Sequence, residues 1–550
     1  MLNINETFLL FEDRVNKNRN FLFTSPIDIL IAKNKDELKN VLIKIDKYKT
    51  KGNYIAGYIS YDYQAEFYVF QEVIKLSNQE LNDYFSGIKK NSYIYDFKTN
   101  ITQTEYNNKL KKLKSYIKDG ETYQTNFTFK ADFRFTENEL TLYKNLREKQ
   151  IVEFGAFLNL ENRTIISLSP ELFLQKTNNT LISKPMKGTL KTDGKQNDEY
   201  YIKQMQNDKK TISENLMIVD LIRNDFTKIS IPKTVEVENL FEVQKFKTVY
   251  QMISTVKSKV NENIEFSKII EALFPCGSIT GAPKKRTIEI IKELEKEKRG
   301  IYTGIIGFIT PENDFTFNIA IRTIVAYPPT IQSLSSDKKA KMGIGGGILY
   351  DSDIKDEWNE ALLKAKFLRN LNEDIVVLET MLSKNGKIEY EKEHLNRLNK
   401  SLEFFSTDKK RIRVLEPRKS PKNPKIIISD IKIDHNSIFR RHKTNKRELY
   451  NKEYEKIKET YIDIIFFNKE NNLAEGAIHN VYIEKNAKIY TPFIKDGALP
   501  GIIRAKMLES NKVLEKTIKK KEFLNADKIY LSNSINGFFE VKLVWKKYIL

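Results

Sequence analysis

"FPCGSITGAPKKR", residues 274–286, packs glycine, small hydroxyl residues and two prolines against the start of a helical pattern. A turn of this kind exposes backbone N–H groups at a helix N-terminus, which suits an anion. It is not a P-loop, because Gly281 stands one place early and no Gly-Lys-Ser/Thr follows. A second glycine-rich stretch, "GIGGGI" (343–348), falls in a strand pattern and not at a strand-to-helix turn. Ile348 occupies its third glycine position, so the dinucleotide fingerprint fails. Glycines in a strand let a ligand lie directly on the backbone.

Working outward, "YYIKQMQNDKKTISENLMIVDLIRND" (200–225) reads as helix. Ile212, Leu216, Val219 and Ile222 form its apolar stripe, leaving Glu214 off the centre. In "KDEWNEALLKAKFLRNL" (355–371), Trp358, Leu362 and Ala365 make the buried face, while Glu357, Glu360 and Lys364 recur on another. One such helix reads plainly as a solvated face with an i,i+4 ion pair. Carboxylates on two separate helices have the chemistry to hold Mg²⁺. Strand patterns occupy 54–63, 302–310, 315–327 and 341–350, and 328–340 reads as a hairpin connection. "ISKPMKGTL" (182–190) is an extended stretch that ends with Lys187 before a glycine. Such a lysine usually points into water. Enclosed by the fold, it would become a nucleophile or base.

At 550 residues the chain is too long for one core. A hydrophobic content of 40% places it among globular proteins. The N-terminus carries Glu6 and only a short apolar run, a poor signal peptide. No stretch approaches the ~20 apolar residues of a membrane span. The single cysteine, Cys276, precludes an internal disulfide and suits a reducing, cytoplasmic location. The formal charge of +20 invites a nucleic-acid reading. The lysines, however, are spread throughout and sit beside glutamates, as in "IIKELEKEKRG" (290–300), with no RNA-binding aromatic motif or zinc-finger spacing. Neither nucleic acid nor membrane is expected as a partner; attraction of small anions fits the charge better. After the helix at 355–371 comes "NED", and a fresh strand starts at Ile375, which sets domains at 1–371 and 375–550, with an N-terminal subdomain over about 1–95.

In order, "SPELF", "KPMKGT", "SENLMIVDLIRND", "FPCGSITGAPKKR", "RGIYTG", "IAIRT", "GIGGGI" and "DSDIKDEWNEALLKA" run from Ser169 to Ala365. They resemble the chorismate-utilising family, which includes anthranilate, isochorismate and aminodeoxychorismate synthases. The resemblance implies an α/β domain of stacked, largely antiparallel sheets with helices outside. It implies Lys187 as a nucleophile toward chorismate and Glu171 as the general acid for the departing hydroxyl. Glu214 and Glu360, supported by Glu357, become Mg²⁺ ligands. Arg322 and Tyr302 hold a substrate carboxylate, and Thr280, Gly345 and Lys364 line the pocket. A lysine at 187 is the form of the aminodeoxychorismate synthases, where anthranilate synthases usually have a small residue. One departure is Gln251, where many members have histidine; an amide cannot shuttle a proton as imidazole does. No glutaminase signature is present, so ammonia is expected from a separate glutamine amidotransferase subunit.

From "VVLETML" (376–382) the chemistry changes. "EHLNRLNKSLEFF" (393–405), "FRRHKTNKRELY" (439–450), "LAEGAIHN" (473–480), "LPGIIRAKML" (499–508) and "SNS" (532–534) resemble class IV pyridoxal-phosphate enzymes, such as branched-chain aminotransferases and aminodeoxychorismate lyase. The resemblance implies a smaller α+β fold, with Lys443 as the Schiff-base lysine of pyridoxal 5'-phosphate and Glu475 as partner of the pyridinium nitrogen. Arg397, the N–H groups after Gly501, and Ser534 would grip the phosphate. Together the halves imply synthesis of 4-aminobenzoate from chorismate. An anthranilate or isochorismate synthase fused to a class IV aminotransferase is the alternative within enzymes, and a structural tail the alternative for the second half.

Overall fold

The computed structural model describes residues 2–16, 19–191, 196–245, 249–328, 338–417 and 422–544. The connection expected over 328–340 lies largely outside them, although the strands it joins do pair antiparallel, Ala326 opposite Ala340. The chain divides into two compact units, Met1–Leu371 and Asn372–Leu550. Among the described residues no helix is long and apolar enough to cross a membrane.

Two ten-stranded sheets, antiparallel throughout, build the first unit. One carries Gln124–Phe135 beside Lys338–Ile348, then Thr323–Tyr327, Thr164–Ser169, Phe154–Asn159 and Phe8–Glu12. The other carries Met186–Lys191, Val249–Lys259, Thr180–Lys184, Leu172–Thr177, Phe315–Ile319, Ile305–Ile309 and Tyr54–Ile59. Period-two alternation explains how they stack. Phe8 and Leu10 enter a core beneath the helices Gln103–Lys118, Glu139–Lys149 and Ile354–Lys364. Leu9 and Phe11 point the other way, into a core shared with Ala56, Tyr58, Tyr68 and Phe70 of the second sheet. Ile55 and Ile59 of that sheet face a third core, under the helices Lys35–Thr50, Lys209–Thr227 and Phe266–Leu273. The result is helix, sheet, sheet, helix. Strands buried on both faces read as near-continuous apolar runs, as "FLLF" (8–11) does.

The chain crosses between the sheets at two neighbouring points. Thr164–Ser169 leads through Pro170 and Glu171 into Leu172–Thr177, and Phe315–Ile319 leads through Ala320–Arg322 into Thr323–Tyr327. Hydrogen bonds tie the crossings together, Ile319 N–H to the Glu171 carbonyl (3.1 Å) and Ser169 Oγ to the Ile319 carbonyl (2.6 Å). Two of the expected site residues, Glu171 and Arg322, stand on them.

The second unit holds a three-stranded sheet, ordered Lys387–Ile388, Val377–Lys384, Lys410–Leu415, and an eight-stranded sheet of mixed direction. The helix Glu391–Phe404 packs on Val377–Lys384.

Candidate functional site

Lys187 lies half-buried on Met186–Lys191, opposite Met252. Gly188 follows with φ +67°, and a Cβ there would stand 2.5 Å from Thr211 Cγ2. Only glycine lets the strand turn this close to the helix Lys209–Thr227. The charge of Lys187 acts on Glu171, Glu214 and Glu360, so these four groups face one region.

Glu171 is buried at the crossover and accepts a 2.8 Å hydrogen bond from Ser278 Oγ in the glycine-rich turn. Burial raises its pKa to about 7, against the Ser278 bond, the Lys187 charge and the Met186 N–H. A carboxyl of this kind keeps its proton near neutrality, as a general acid must. Thr280 is fully buried and donates to the Cys276 (3.0 Å) and Gly277 (3.2 Å) carbonyls, so its hydroxyl proton holds the turn itself.

The helical run at 200–225 is two helices, Asp198–Gln206 and Lys209–Thr227; Asp208 caps the second by accepting from Thr211 N–H at 3.3 Å. Such a cap is worth about 1 kcal/mol. Its buried stripe corrects the expected one. Thr211, Asn215, Ile218, Val219 and Ile222 face inward, whereas Leu216 is 50% exposed. Asn215 takes a buried position because it accepts a 2.6 Å bond from Ser254 Oγ, which moves the stripe round by one residue. Glu214 still points to the site, its pKa raised by burial and by Glu360 and Glu357, against Lys187 and Lys210.

The helix Ile354–Lys364 differs from expectation in the same way. Glu357 is only 4% exposed and shares the buried face with Trp358 and Ala361. It accepts from Ser352 Oγ (2.6 Å) and Lys210 Nζ (3.4 Å), which replace the water it has lost. Glu360, with a side chain 53% exposed, pairs with Lys364 at 3.0 Å. Against burial, which pushes it up, Lys364, Lys210 and Lys187 hold the Glu360 carboxyl below its usual range. Lys364 also donates to the Gly345 carbonyl at 2.8 Å. A Cβ on Gly346 would stand 3.4 Å from Glu357 Oε2, and one on Gly347 3.8 Å from Glu214 Oε2. The glycine strand is thus the floor between the two glutamate helices.

Among the described residues no group of three His, Cys, Asp or Glu side chains is drawn together tightly enough to hold a metal ion. Mg²⁺ usually takes one or two carboxylates and completes its shell with waters and substrate oxygens. Glu214, Glu357 and Glu360 around one region fit that pattern, with Lys210 as their counter-charge.

On the second crossover, Arg322 adopts φ +50° and donates to Gln150 Oε1 at 3.0 Å. The ring of Tyr302 packs against Gly343, where a Cβ would approach it to 2.1 Å. Gln124 escaped the sequence reading. It is buried beside Gly347 and Glu214, and among the described residues its Oε1 has no hydrogen-bond partner. A signal was present in "QTNFTF" (124–129): Phe127 and Phe129 enter the core under the helices, which sends Gln124, Asn126 and Thr128 to the opposite face.

In the second unit, Lys443, Glu475, Gly501 and Ser534 border one cavity of about 540 Å³. Burial, with Arg397 nearby, lowers Lys443 to about 8. Glu475 accepts from Tyr450 Oη and from Leu499 N–H, each at 2.8 Å, and burial raises it to about 7. Gly501 opens the helix Ile502–Glu509. Arg397 reaches the cavity already engaged, by Glu379 (2.6 and 3.1 Å) and by the Pro500 carbonyl (3.0 Å). Glu379, unnoticed in the sequence, is buried between Arg397, His394 (3.1 Å) and Lys443 (3.8 Å). Burial alone would raise it; the His394 bond and the Arg397 and Lys443 charges bring it down to about 2.

These features define an α/β sandwich with a cluster of charged groups beside the point where the chain passes between its sheets. The chain belongs to the chorismate binding enzyme family, whose model matches residues 69–370, more than half of its length. Residues 411–544 match the class IV amino-transferase model. The chain is similar to component 1 of aminodeoxychorismate synthase from Salmonella typhimurium, 34% identical over 49% of this chain and 57% of that protein. It is also similar to the chloroplastic aminodeoxychorismate synthase of Arabidopsis thaliana, 35% identical over 53% of this chain and 31% of that one. In both, the match spans less than two thirds of the relative. The fold is shared with a 2,3-dihydroxybenzoate-specific isochorismate synthase from Bacillus anthracis, 16% identical at a TM-score of 0.57 over 68% of this chain and 97% of that one.

Proposed function

We propose that the first unit converts chorismate and ammonia to 4-amino-4-deoxychorismate, and that the second eliminates pyruvate from it to leave 4-aminobenzoate, a folate precursor. The observation that carries the reading is Lys187 facing Glu171 and the glutamates Glu214 and Glu360. Lys187 attacks C2 of chorismate while Glu171 protonates the departing 4-hydroxyl, which leaves as water. Ammonia then adds at C4, the double bond shifts back and the lysine is expelled. Two displacements replace one difficult one. Glu214 and Glu360 would hold Mg²⁺, with Glu357 in support, and the ion would supply positive charge for a substrate carboxylate. Arg322 offers a planar fork for the other carboxylate.

Ammonia is proposed to come from a separate glutamine amidotransferase. Burial, with the Glu171 charge, pushes the Cys276 thiol up to about 11, a poor nucleophile for glutamine hydrolysis. In the second unit the residues present fit pyridoxal phosphate: a cavity, an amine of lowered pKa and a buried carboxyl. The cofactor would supply an electron sink when bound. Lys443 would hold its aldehyde carbon and move the proton, and Glu475 would face the ring nitrogen. Arg397, the N–H groups after Gly501 and Ser534 would meet the phosphate.

The test is to incubate the chain with chorismate, ammonium and Mg²⁺, with and without pyridoxal phosphate, and identify products by mass. Aminodeoxychorismate without the cofactor and 4-aminobenzoate with it are expected. Anthranilate or isochorismate would overturn the first assignment.

A further inference from the structure

We propose that Arg411 and Arg413 form a paired guanidinium seat for the carboxylates of the substrate that enters the second-unit cavity. The inference rests on the reading of that cavity as the pyridoxal-phosphate site, and adds what selects its substrate.

Placement comes first. The two arginines are separated by one residue on Lys410–Leu415, so their side chains leave the same face about 6.6 Å apart. The parallel register sets Arg411 beside Leu378 and Arg413 beside Thr380, and all four border the cavity together with Lys443. Ile412 and Val414, on the other face, are exposed.

Charge balance comes next. Three other cations at the cavity are engaged, Arg397 by Glu379, Lys446 by Asp374 and Arg447 by the Ala477 carbonyl, and Arg440 lies over the Tyr450 ring. Among the described residues the exposed side chains of Arg411 and Arg413 have neither an acidic partner nor a hydrogen bond. The Arg413 charge nevertheless reaches the half-buried Lys443 amine and helps to hold its pKa down. Two guanidinium groups without an acidic partner, bordering the same cavity as the Lys443 amine, favour an anion there. Their planar forks suit carboxylates, which they grip bidentately. A substrate amine carrying two carboxylates, the class produced by the first unit, would satisfy both.

Arginines on an edge strand also deter strand-to-strand association, a duty that needs only charge and that lysine performs equally well. A carboxylate seat needs the fork. Lysine substitution therefore separates the two roles.

The experiment loads the full chain with pyridoxal phosphate and titrates it with benzene-1,3-dicarboxylate, following the absorption band of the bound cofactor. Wild type, Arg411→Gln, Arg413→Gln and Arg413→Lys are compared, and KM and kcat for aminodeoxychorismate are measured on each. The dicarboxylate should perturb the wild-type band, with benzoate at least tenfold weaker. Each glutamine variant should keep the band but need at least tenfold more dicarboxylate, and Arg413→Lys should be nearly as impaired. KM should rise at least tenfold while kcat changes less than threefold. Variants that titrate like wild type, a lysine variant that behaves normally, or a glutamine variant that loses the band would each overturn the seat. A normal wild-type band with no response to the dicarboxylate overturns the seat alone. No band in wild type overturns the cavity reading and the seat with it.

Discussion

Ser278 Oγ donates a 2.8 Å hydrogen bond to Glu171 Oε1, joining the glycine-rich turn to the carboxyl at the sheet crossover. The bond favours the charged carboxylate, and burial opposes it more strongly, so Glu171 titrates at about 7. The turn therefore tunes the acidity of this carboxyl.

That balance gives a pH prediction. A general acid works while protonated, so turnover of chorismate should fall as pH rises through about 7. Ser278→Ala removes a bond that stabilises the charged form, so the falling limb should move up by about one unit. Glu171→Gln should remove the limb and about 10²–10⁴ of the rate. A pH–rate profile on the three proteins checks this; a limb unmoved in Ser278→Ala would contradict it.

The same shift is a stability statement. Glu171 and Glu475 both have folded pKa values raised above the unfolded ~4.3. The folded state binds their protons more tightly, so the associated stability is fully present below pH ~4.3 and is lost as pH rises through about 7. Glu171→Gln should be more stable than wild type at pH 8 by on the order of 3 kcal/mol, and no more stable at pH 4. Denaturant unfolding of the ligand-free chain at both pH values measures the difference.

Product choice should follow Lys187. Lys187→Ala should lose most aminodeoxychorismate formation and drift toward anthranilate, because the lysine no longer blocks direct attack by ammonia at C2. Mass analysis of products decides. The wild-type product at the wild-type rate would rule out a covalent role.

Metal dependence should follow the glutamates on both helices. Chelation should stop the first reaction. Glu214→Gln or Glu360→Gln should raise the Mg²⁺ needed for half-activity at least about tenfold, since each removes an anionic oxygen at nearly constant volume. Ammonium should support turnover, and glutamine should not without a partner subunit. Glutamine-driven turnover by this chain alone would defeat the partner assignment.

Much of this was legible in the sequence, for different reasons in different places. The glycine strand 343–348 and Gly188 declare themselves because only a missing side chain allows the approaches they make. Helix phase was harder to read. Leu216 belongs to an apolar pattern, yet Asn215 takes the inward place because Ser254, distant in sequence, bonds to it. Spacing alone puts Glu357 on a solvated face for the same reason, since Ser352 and Lys210 compensate its burial from outside its own helix. Gln124 and Glu379 carry no motif, and only the fold brings them beside Glu214 and Lys443. Periodicity reports apolar partners well and polar compensation poorly.

The last prediction separates the two units. Lys443 has a pKa lowered to about 8, so near neutrality a usable fraction of the amine is free to capture the cofactor's aldehyde carbon. Protein supplied with pyridoxal phosphate should show the near-visible band of the bound cofactor, and borohydride should fix that cofactor to Lys443. Lys443→Ala should lose both signals and stop the pathway at aminodeoxychorismate, because in the proposed reading the residue would both anchor the cofactor and carry the proton. Glu475→Ala should keep the covalent link and slow pyruvate release, since in the proposed reading its carboxyl would face the ring and not the aldehyde. Tyr450→Phe removes one of the two bonds that favour the ionised Glu475 carboxyl, so it should raise the Glu475 pKa and slow the same step less severely. None of these changes touches Lys187 or Glu171, so aminodeoxychorismate should form at the wild-type rate in all three. If cofactor-loaded wild type makes aminodeoxychorismate and never 4-aminobenzoate, the second unit is not a lyase and serves the first as structure.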